Sequence, residues 1–162
     1  MTTTVAIGSD EAGFALKGRL VEELRSIGCE ASDFGCYSAD PVDYPDVALA
    51  VAQAIARGEH SRGILICGTG IGMAIAANKV PGVYAAQVHD PYSAERARAS
   101  NNAQIMTVGA RVVAPELAVA LLRIWLQTEF QGGRSEHKVA KIAQAERRIL
   151  EAGTEVTATK GR

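Results

Sequence analysis

The chain has 162 residues, of which 48% are hydrophobic, and a formal net charge of −1 at neutral pH. This length predicts a single domain with a substantial buried core. Because there is no basic block to neutralise phosphates, neither nucleic acid nor an anionic membrane is an expected partner. No apolar run approaches the roughly 20 residues that cross a bilayer, and nothing resembles a secretory signal.

The cysteines and histidines indicate free thiols and no metal site. Cys29, Cys36 and Cys67 lack the spacing of metal ligands, and the histidines are widely separated. An odd number of cysteines in a chain without a signal segment is typical of a reducing compartment. We therefore expect a cytoplasmic protein that uses neither a metal nor any other cofactor.

Strand-like and helix-like segments alternate along the chain. Short apolar runs predict five strands, and stretches with one apolar face predict the helices between them. In chain order, these are a strand over 5–9, a helix over 14–27, a strand over 30–34, a turn-rich loop over 35–45, a helix over 46–57, a strand over 63–67, a short helix over 73–78, a strand over 83–88, a helix from 91 to about 100, a strand over 104–108, a helix from 115 to about 130 and a last helix over 139–150.

This alternation predicts an α/β fold, namely a Rossmann-like three-layer αβα sandwich with a five-stranded parallel sheet. We predict one domain over residues 1–152, with a C-terminal helix at about 136–152 that packs on a partner subunit. A disordered tail is expected over 153–162. Ligands of such folds lie beyond the carboxyl ends of the strands. Chain order alone brings four segments to that edge: Asp10-Glu11, Cys67 to Gly72, His89-Asp90 and Gly109 to Arg111.

The segment Cys67-Gly68-Thr69-Gly70-Ile71-Gly72 joins the third strand to a helix and is the most informative part of the chain. Its backbone N–H groups, and the positive end of the helix, can face an anion beside the thiol. The segment matches neither a dinucleotide fingerprint nor a P-loop. We therefore predict a site for a small anion or oxyanion; the alternative is that the glycines only allow close packing.

Cys67 itself has two interpretations. At the end of a strand and beside the start of a helix, its thiolate would be favoured, which suits a general base. Free cysteines are, however, commonly inert core residues. We assign structural roles to Cys29 and Cys36, which lack this setting.

Five further residues are candidates for the site. Asp10 could bind substrate hydroxyls or merely cap the helix that follows it. Tyr44 could form a wall of a pocket or simply fix its loop. Arg111, Arg134 and Lys138 are candidate anion ligands, although solvated surface is the usual place of such side chains.

Ser100 and Asn101 end a helix that begins at the ligand edge of the sheet. About ten helical residues span roughly 15 Å, so both residues lie at the opposite edge of their own sheet. If they belong to a site with Cys67, a second copy of the chain must supply them. This condition predicts a homodimer with shared active sites.

Four motifs together resemble the family of ribose-5-phosphate isomerase B and galactose-6-phosphate isomerase. They are Cys-Gly-Thr-Gly-Ile-Gly-Met from residue 67 with Ala-Ala-Asn-Lys-Val-Pro-Gly up to residue 82, His-Asp-Pro-Tyr-Ser-Ala up to 94, Asn-Asn-Ala up to 103, and Gly-Ala-Arg up to 111. The resemblance covers about residues 4–150. It implies a Rossmann-like homodimer, or a dimer of dimers, that interconverts aldose and ketose phosphates through a cis-enediolate without a metal.

The resemblance also implies a role for each candidate. Cys67 would move the proton between C1 and C2, and Thr69 would assist proton transfer at the substrate oxygens. The N–H groups from Gly68 to Gly72 would hold the enediolate oxyanion, which is usually a large part of the catalytic effect. The binding roles fall to the remaining candidates: Asp10 and Tyr44 at the sugar, Asn101 of the partner subunit at the reacting end, and Arg111, Arg134 and Lys138 on the phosphate side.

Three departures from the family pattern bear on the substrate. The chain has Asp10-Glu11 where the family usually has Asp-His, and Ser100 where a ring-opening histidine usually precedes the asparagine. Its phosphate segment has Ser135 and Lys138 in place of a histidine and a later arginine. Glu11 would repel a phosphate, so we do not expect ribose 5-phosphate to bind in the usual way.

The loss of the ring-opening histidine suits a shorter sugar. A tetrose 4-phosphate cannot close a five-membered ring because its O4 carries the phosphate. The Ser-Asn-Asn-Ala-Gln-Ile and Gly-Arg-Ser patterns resemble the erythrulose-4-phosphate isomerase branch, which predicts D-erythrulose 4-phosphate or a related short sugar phosphate as substrate. The alternatives are ribose-5-phosphate isomerase activity with His137 or Lys138 compensating, an isomerase of free sugars, a receiver-like signalling module and a non-catalytic sugar-binding relative.

Overall fold

A computed structural model describes residues 3–160 of the chain, with side chains described over 3–153. The chain divides into two compact units, Met1–Phe130 and Gln131–Arg162. The second unit contains one turn of 3-10 helix, Gly133–Ser135, and a single long helix over Glu136–Lys160. The predictions of one domain over residues 1–152, and of a C-terminal helix that packs on a partner subunit, stay predictions.

The first unit alternates strands and helices in the predicted order. Its elements are β1 (Thr4–Ser9), α1 (Phe14–Ser26), β2 (Glu30–Asp33), α2 (Tyr44–Ala56), β3 (Gly63–Cys67), α3 (Ile71–Ala77), β4 (Ala85–Gln87), α4 (Pro91–Ala99), β5 (Ile105–Gly109) and α5 (Pro115–Gln127), and the long helix of the second unit is α6. The strands form one parallel sheet in the order β2-β1-β3-β5-β4. The prediction of an α/β fold with a five-stranded parallel sheet is confirmed.

Alternation along the strands produces the three layers. On β3, Ile64 and Ile66 face a core formed with α1, α4 and α5, whereas Leu65 and Cys67 face a second core formed with α2 and α3. Successive side chains of a strand point to opposite faces, so each face of the sheet is covered by its own set of helices.

The order of the strands creates a crevice between β1 and β3. From β1 the chain moves outward to β2, and from β3 it moves outward in the other direction, toward β5 and β4. The loops that leave the carboxyl ends of β1 and β3 therefore diverge, and ligands of open parallel sheets bind at such a point. The residues that directly follow these two strands are Asp10 and Gly68.

Several helix boundaries differ from the sequence-based prediction: α3 begins at Ile71 instead of Met73, and α5 ends at Gln127 instead of near Phe130. Helix α2 begins at Tyr44 instead of Asp46, because a proline such as Pro45 fits the first turn, where its missing N–H has no intrahelical partner. Helix α6 continues to Lys160, beyond the predicted end near Leu150. Residues 161–162 of the predicted disordered tail lie outside the described residues, and the disorder of that tail stays a prediction. None of the helices within residues 3–160 is long and apolar enough to cross a membrane.

Candidate active site

Backbone hydrogen bonds bring three of the predicted site segments together at the carboxyl edge of the sheet. The N–H of Asp10 donates to the carbonyl of Ile66 at 3.1 Å, which ties the end of β1 to β3. From the other side, the N–H groups of Ala110 and Arg111 donate to the carbonyls of Cys67 and Gly68 at 2.8 and 3.0 Å. Asp10, the glycine turn and Arg111 thus surround one crevice, as chain order predicts.

Cys67 is the last residue of β3, and its side chain is 5% exposed. The Sγ atom accepts a hydrogen bond from the N–H of Gly70 at 3.1 Å. This hydrogen bond fixes the sulfur at the carboxyl end of β3, directly against the glycine turn. In contrast, the buried Cys36 faces a hydroxyl, the Oγ of Ser9, at 3.7 Å.

The turn after Cys67 requires glycine at position 70. Gly70 has φ +78°, a left-handed conformation that side chains disfavour. A Cβ at this position would also lie 2.9 Å from the carbonyl carbon of Val108 on β5. The tight approach of this turn to β5 directs the N–H of Gly70 at the sulfur, so packing and site geometry depend on the same residue.

Thr69 and Ile71 close the turn with a second local hydrogen bond. The Oγ1 of Thr69 accepts from the N–H of Ile71 at 3.3 Å, and the Thr69 side chain is exposed at the crevice. Two N–H groups of the predicted oxyanion site, those of Gly70 and Ile71, are therefore bonded within the turn itself. An oxyanion would share these donors with Cys67 and Thr69.

Asp10 and Glu11 differ in environment although they are adjacent. Asp10 is buried, and its Oδ1 accepts from the N–H of Gly13 at 3.0 Å, so the predicted capping role is present. Burial raises the pKa of Asp10 above its ordinary value, and repulsion by Glu11 adds to this effect. In contrast, the pKa of Glu11 is lowered by hydrogen bonds from the backbone N–H groups of Glu11 itself and of Val42. The charge of Arg111 makes a smaller contribution.

Tyr44 lies directly against the glycine turn. A Cβ built at Gly72 would be 2.5 Å from Cε2 of the Tyr44 ring, so the ring covers the backbone of Gly72. Tyr44 is 41% exposed and begins α2, which packs on α3. The ring thus forms a wall beside the start of α3.

Arg111 approaches the same turn from β5. Its Cδ lies 3.6 Å from the position that a Cβ on Gly68 would occupy, and its side chain is exposed. Its charge lowers the pKa of both Asp10 and Glu11, although it is not the main cause of either shift. Arg111 is therefore a cation at the crevice, available to a bound anion.

Ser100 and Asn101 lie at the opposite edge of the sheet from Cys67. Ser100 caps the carboxyl end of α4, and the chain then enters β5 at Ile105, which pairs with Gly63 at the start of β3. The strand from Gly63 to Cys67 spans roughly 13 Å. Within one chain, these two residues are therefore separated from Cys67 by the length of a strand.

The remaining two candidates belong to the second unit. Arg134 lies in the turn Gly133–Ser135, and Lys138 lies in the first turn of α6; both side chains are exposed. Their predicted contact with a phosphate stays a prediction.

Two polar residues that support the turn were not identified from the sequence. The Oγ1 of Thr107 donates to the carbonyl of Gly70 at 2.9 Å, and Nε2 of Gln87 donates to the carbonyl of Thr69 at 2.7 Å. The position of His89 in the sequence favours either a surface or a structural role, and its Nε2 accepts from the N–H of Gly109 at 3.1 Å. A buried threonine within an otherwise apolar strand is the one local signal that pointed to this role.

Over the described side chains, no group of three or more histidine, cysteine or acidic residues could hold a metal ion.

A parallel α/β sheet has a thiol, an amide-rich turn and a buried carboxyl group at its switch point here, which are groups able to move protons on a small oxygenated substrate. The chain matches the family model described as Ribose/Galactose Isomerase over residues 5–142. It therefore belongs to the ribose/galactose isomerase family, and it is an aldose–ketose isomerase.

Individual relatives agree with this family. The chain is 55% identical over 135 residues to a protein of Listeria innocua named ribose-5-P isomerase B, covering 83% of this chain and 91% of the relative. It is 52% identical over 147 residues to D-erythrulose-4-phosphate isomerase of Pectobacterium atrosepticum, covering 88% and 95%. Among solved structures, ribose-5-phosphate isomerase B of Clostridium thermocellum has a TM-score of 0.89 at 46% identity, covering 91% of this chain and 99% of the other.

Proposed function

We propose that this protein interconverts an aldose phosphate and a ketose phosphate through a cis-enediolate, without a metal, and that Cys67 is the base. The observation that carries the proposal is the hydrogen bond of 3.1 Å from the N–H of Gly70 to the sulfur of Cys67, at the crevice that Asp10 and Arg111 also border. This donor fixes the position of the sulfur at the crevice. In the proposed reaction, the deprotonated sulfur removes a proton from carbon.

The proposed reaction moves a proton from one carbon to its neighbour through Cys67. The Cys67 thiolate takes the proton from C2 of the aldose, and the electron pair of the broken C–H bond forms the enediolate while the carbonyl oxygen becomes an oxyanion. The resulting thiol exchanges its proton with solvent in part and then donates a proton to C1, which yields the ketose. In this proposal, Thr69 moves the proton between the two substrate oxygens, and the N–H groups over residues 68–72 hold the negative charge.

For the substrate, we propose a short sugar phosphate such as D-erythrulose 4-phosphate. Ser100 cannot assist ring opening as a histidine can, and a tetrose 4-phosphate has no five-membered ring to open. The relative from Pectobacterium atrosepticum carries the name of that activity. In this proposal Asp10, Glu11 and Tyr44 line the sugar side, and Arg111, Arg134 and Lys138 line the phosphate side.

The proposal includes a homodimer with shared sites, with a dimer of dimers as a further level. Ser100 and Asn101 lie about one strand length from Cys67 in their own chain, so they can join that site only from a second copy.

The three free cysteines suit a reducing compartment, and we therefore place the protein in the cytoplasm.

The test combines a substrate screen with one pair of cysteine variants. Tetrose, pentose and hexose phosphates, together with the free sugars, are incubated in deuterium oxide, and label at C1 and C2 is measured. We expect label in the product and a higher kcat/KM for D-erythrulose 4-phosphate than for ribose 5-phosphate. Transfer without any label would contradict an enediolate, and an equal or better value for ribose 5-phosphate would overturn the substrate.

Cys67→Ser keeps the size of the side chain but removes the acidic thiol, so we expect kcat to fall by roughly 10²- to 10⁴-fold, the usual contribution of a general base. Cys29→Ser is the matched control, because Cys29 is half-buried and precedes β2 at the other end of the sheet. Both variants should bind substrate and unfold at wild-type temperatures. Retention of activity by Cys67→Ser would exclude Cys67 as the base.

A further inference from the structure

The loop that joins β2 to α2 lines a cavity of about 430 Å³. Its lining includes Cys36, Val42 and Asp43 from the loop itself and Val47 from α2. The loop leads directly into Tyr44, whose ring covers Gly72. Any shift of this loop would therefore reach the substrate side of the glycine turn.

The first part of the loop is firmly fixed. The N–H of Ser9 donates to the carbonyl of Gly35, and the N–H of Cys36 donates to the carbonyl of Ser9, each at 2.7 Å. The buried Lys17 adds bonds from its Nζ to the carbonyl of Cys36 at 2.5 Å and to Oδ1 of Asp33 at 2.7 Å. Residues 33–36 thus behave as an extension of the sheet.

The second part of the loop is attached to the body of the protein by a side chain. The N–H of Val42 donates to Oε2 of Glu11 at 3.2 Å. Glu11 follows Asp10 and begins a 3-10 turn that rests on β3, so its backbone is well anchored. Between the two attachments, Ser38 and Asp40 bond to each other on the exposed surface.

We propose that Glu11 is a positioning residue: its carboxylate holds Val42, and through Val42 the loop and Tyr44, in the arrangement that binds substrate. This inference rests on the proposed function. It is an alternative to the expectation from the sequence that Glu11 acts by repelling a phosphate. The carboxylate oxygen nearest the loop already accepts an N–H, and the positive charge of Arg111 acts on the same group.

The variants Glu11→Gln and Glu11→Ala distinguish the positioning role of Glu11 from an effect of its negative charge on the substrate. Glu11→Gln keeps an oxygen that can accept from Val42, whereas Glu11→Ala keeps neither the oxygen nor the charge. We expect Glu11→Ala to raise KM roughly three- to tenfold, the range for one exposed hydrogen bond, with a smaller change in kcat. Glu11→Gln should recover most of that loss. Glu22→Ala, which removes an exposed carboxylate from α1, is the control and should leave both constants unchanged.

Amide hydrogen exchange provides a second readout that does not depend on turnover. Glu11→Ala should accelerate exchange of the Val42 amide, and Glu11→Gln should not. A lower KM in both variants would mean that the carboxylate repels the substrate phosphate. An equal rise of KM in both would mean that its charge binds substrate. Either result overturns the positioning role of Glu11. If the wild-type enzyme turns over no sugar phosphate, the proposed function fails. The positioning role of Glu11 is refuted separately, if Glu11→Ala leaves the exchange of the Val42 amide unaltered.

Discussion

Replacement of Gly70 by alanine tests whether the turn is held at its closest possible approach to β5. The left-handed φ of +78° costs about 1–2 kcal/mol for a residue with a Cβ. The new Cβ would also meet backbone atoms of β5 at 2.9, 3.1 and 3.2 Å, and such overpacking costs about 1–3 kcal/mol. The free energy of unfolding should therefore fall by about 2–5 kcal/mol, which lowers Tm by roughly 10 °C in a chain of this size.

The same substitution should reduce catalysis, because relief of the clash moves the N–H of Gly70 away from the sulfur of Cys67. We expect kcat to fall by roughly 10²-fold, as when one donor of a charge-stabilising site is lost. Gly28→Ala is the control: Gly28 has φ +79°, but nothing lies within 4 Å of its Cβ position, so only the backbone strain applies. Equal losses of Tm in the two variants, measured by calorimetry, would refute the steric argument. Full activity of Gly70→Ala would refute the role of the turn.

Two further substitutions test the walls of the crevice. Burial raises the pKa of Asp10 above its ordinary value, so the folded chain disfavours the ionised carboxylate. Above the raised pKa, ionisation therefore lowers the free energy of unfolding. Below the ordinary pKa, the carboxyl group is protonated in both states and this loss disappears. Asp10→Asn should therefore raise Tm at neutral pH, lose that advantage near pH 3 and reduce kcat/KM; a lower Tm at pH 7 would contradict this. Gly72→Ala would place a Cβ 2.5 Å from the Tyr44 ring, so KM should rise by roughly tenfold, but much less in a Tyr44→Ala background; additive effects in this double-mutant cycle would mean that the two residues do not interact.

The order of elements was predictable from the sequence because burial and periodicity determine it. The strand Gly63–Cys67 is correct to the residue, since an apolar run between Arg62 and a glycine turn has only one good length. The edge strand β4 was predicted over 83–88 but pairs only over Ala85–Gln87. Val83 and Val88 are buried without extending it, and the N–H of Tyr84 donates to the side chain of Gln104. The hydrophobic pattern of a segment predicts which residues are buried. The ends of a strand depend instead on which backbone groups form hydrogen bonds with a neighbouring strand.

The site was predictable to the extent that chain order places it. Asp10 and Cys67 lie at the same edge of the sheet because they stand at the ends of neighbouring parallel strands, and no side-chain information is needed for that. The support of the turn by Thr107 and Gln87, and the bond from Val42 to Glu11, could not be predicted in the same way. Each joins segments that are distant in the chain, and its existence depends on rotamers and loop paths that no local pattern encodes.

The sheet order also explains why one chain is expected to hold an incomplete site. A parallel sheet collects the ends of its strands at one edge, which supplies Asp10, Cys67 and Arg111. Every helix between two strands must return the chain to the other edge, so the residue that ends α4, Ser100, is carried away from Cys67. A bend in α4 would not change this, because β5 has to begin beside the start of β3 to keep the observed register of Ile105 with Gly63. A reaction that needs Asn101 at the sulfur of Cys67 therefore requires the amino-terminal edge of a second sheet, and an obligate monomer with full activity would exclude Asn101 from the reaction.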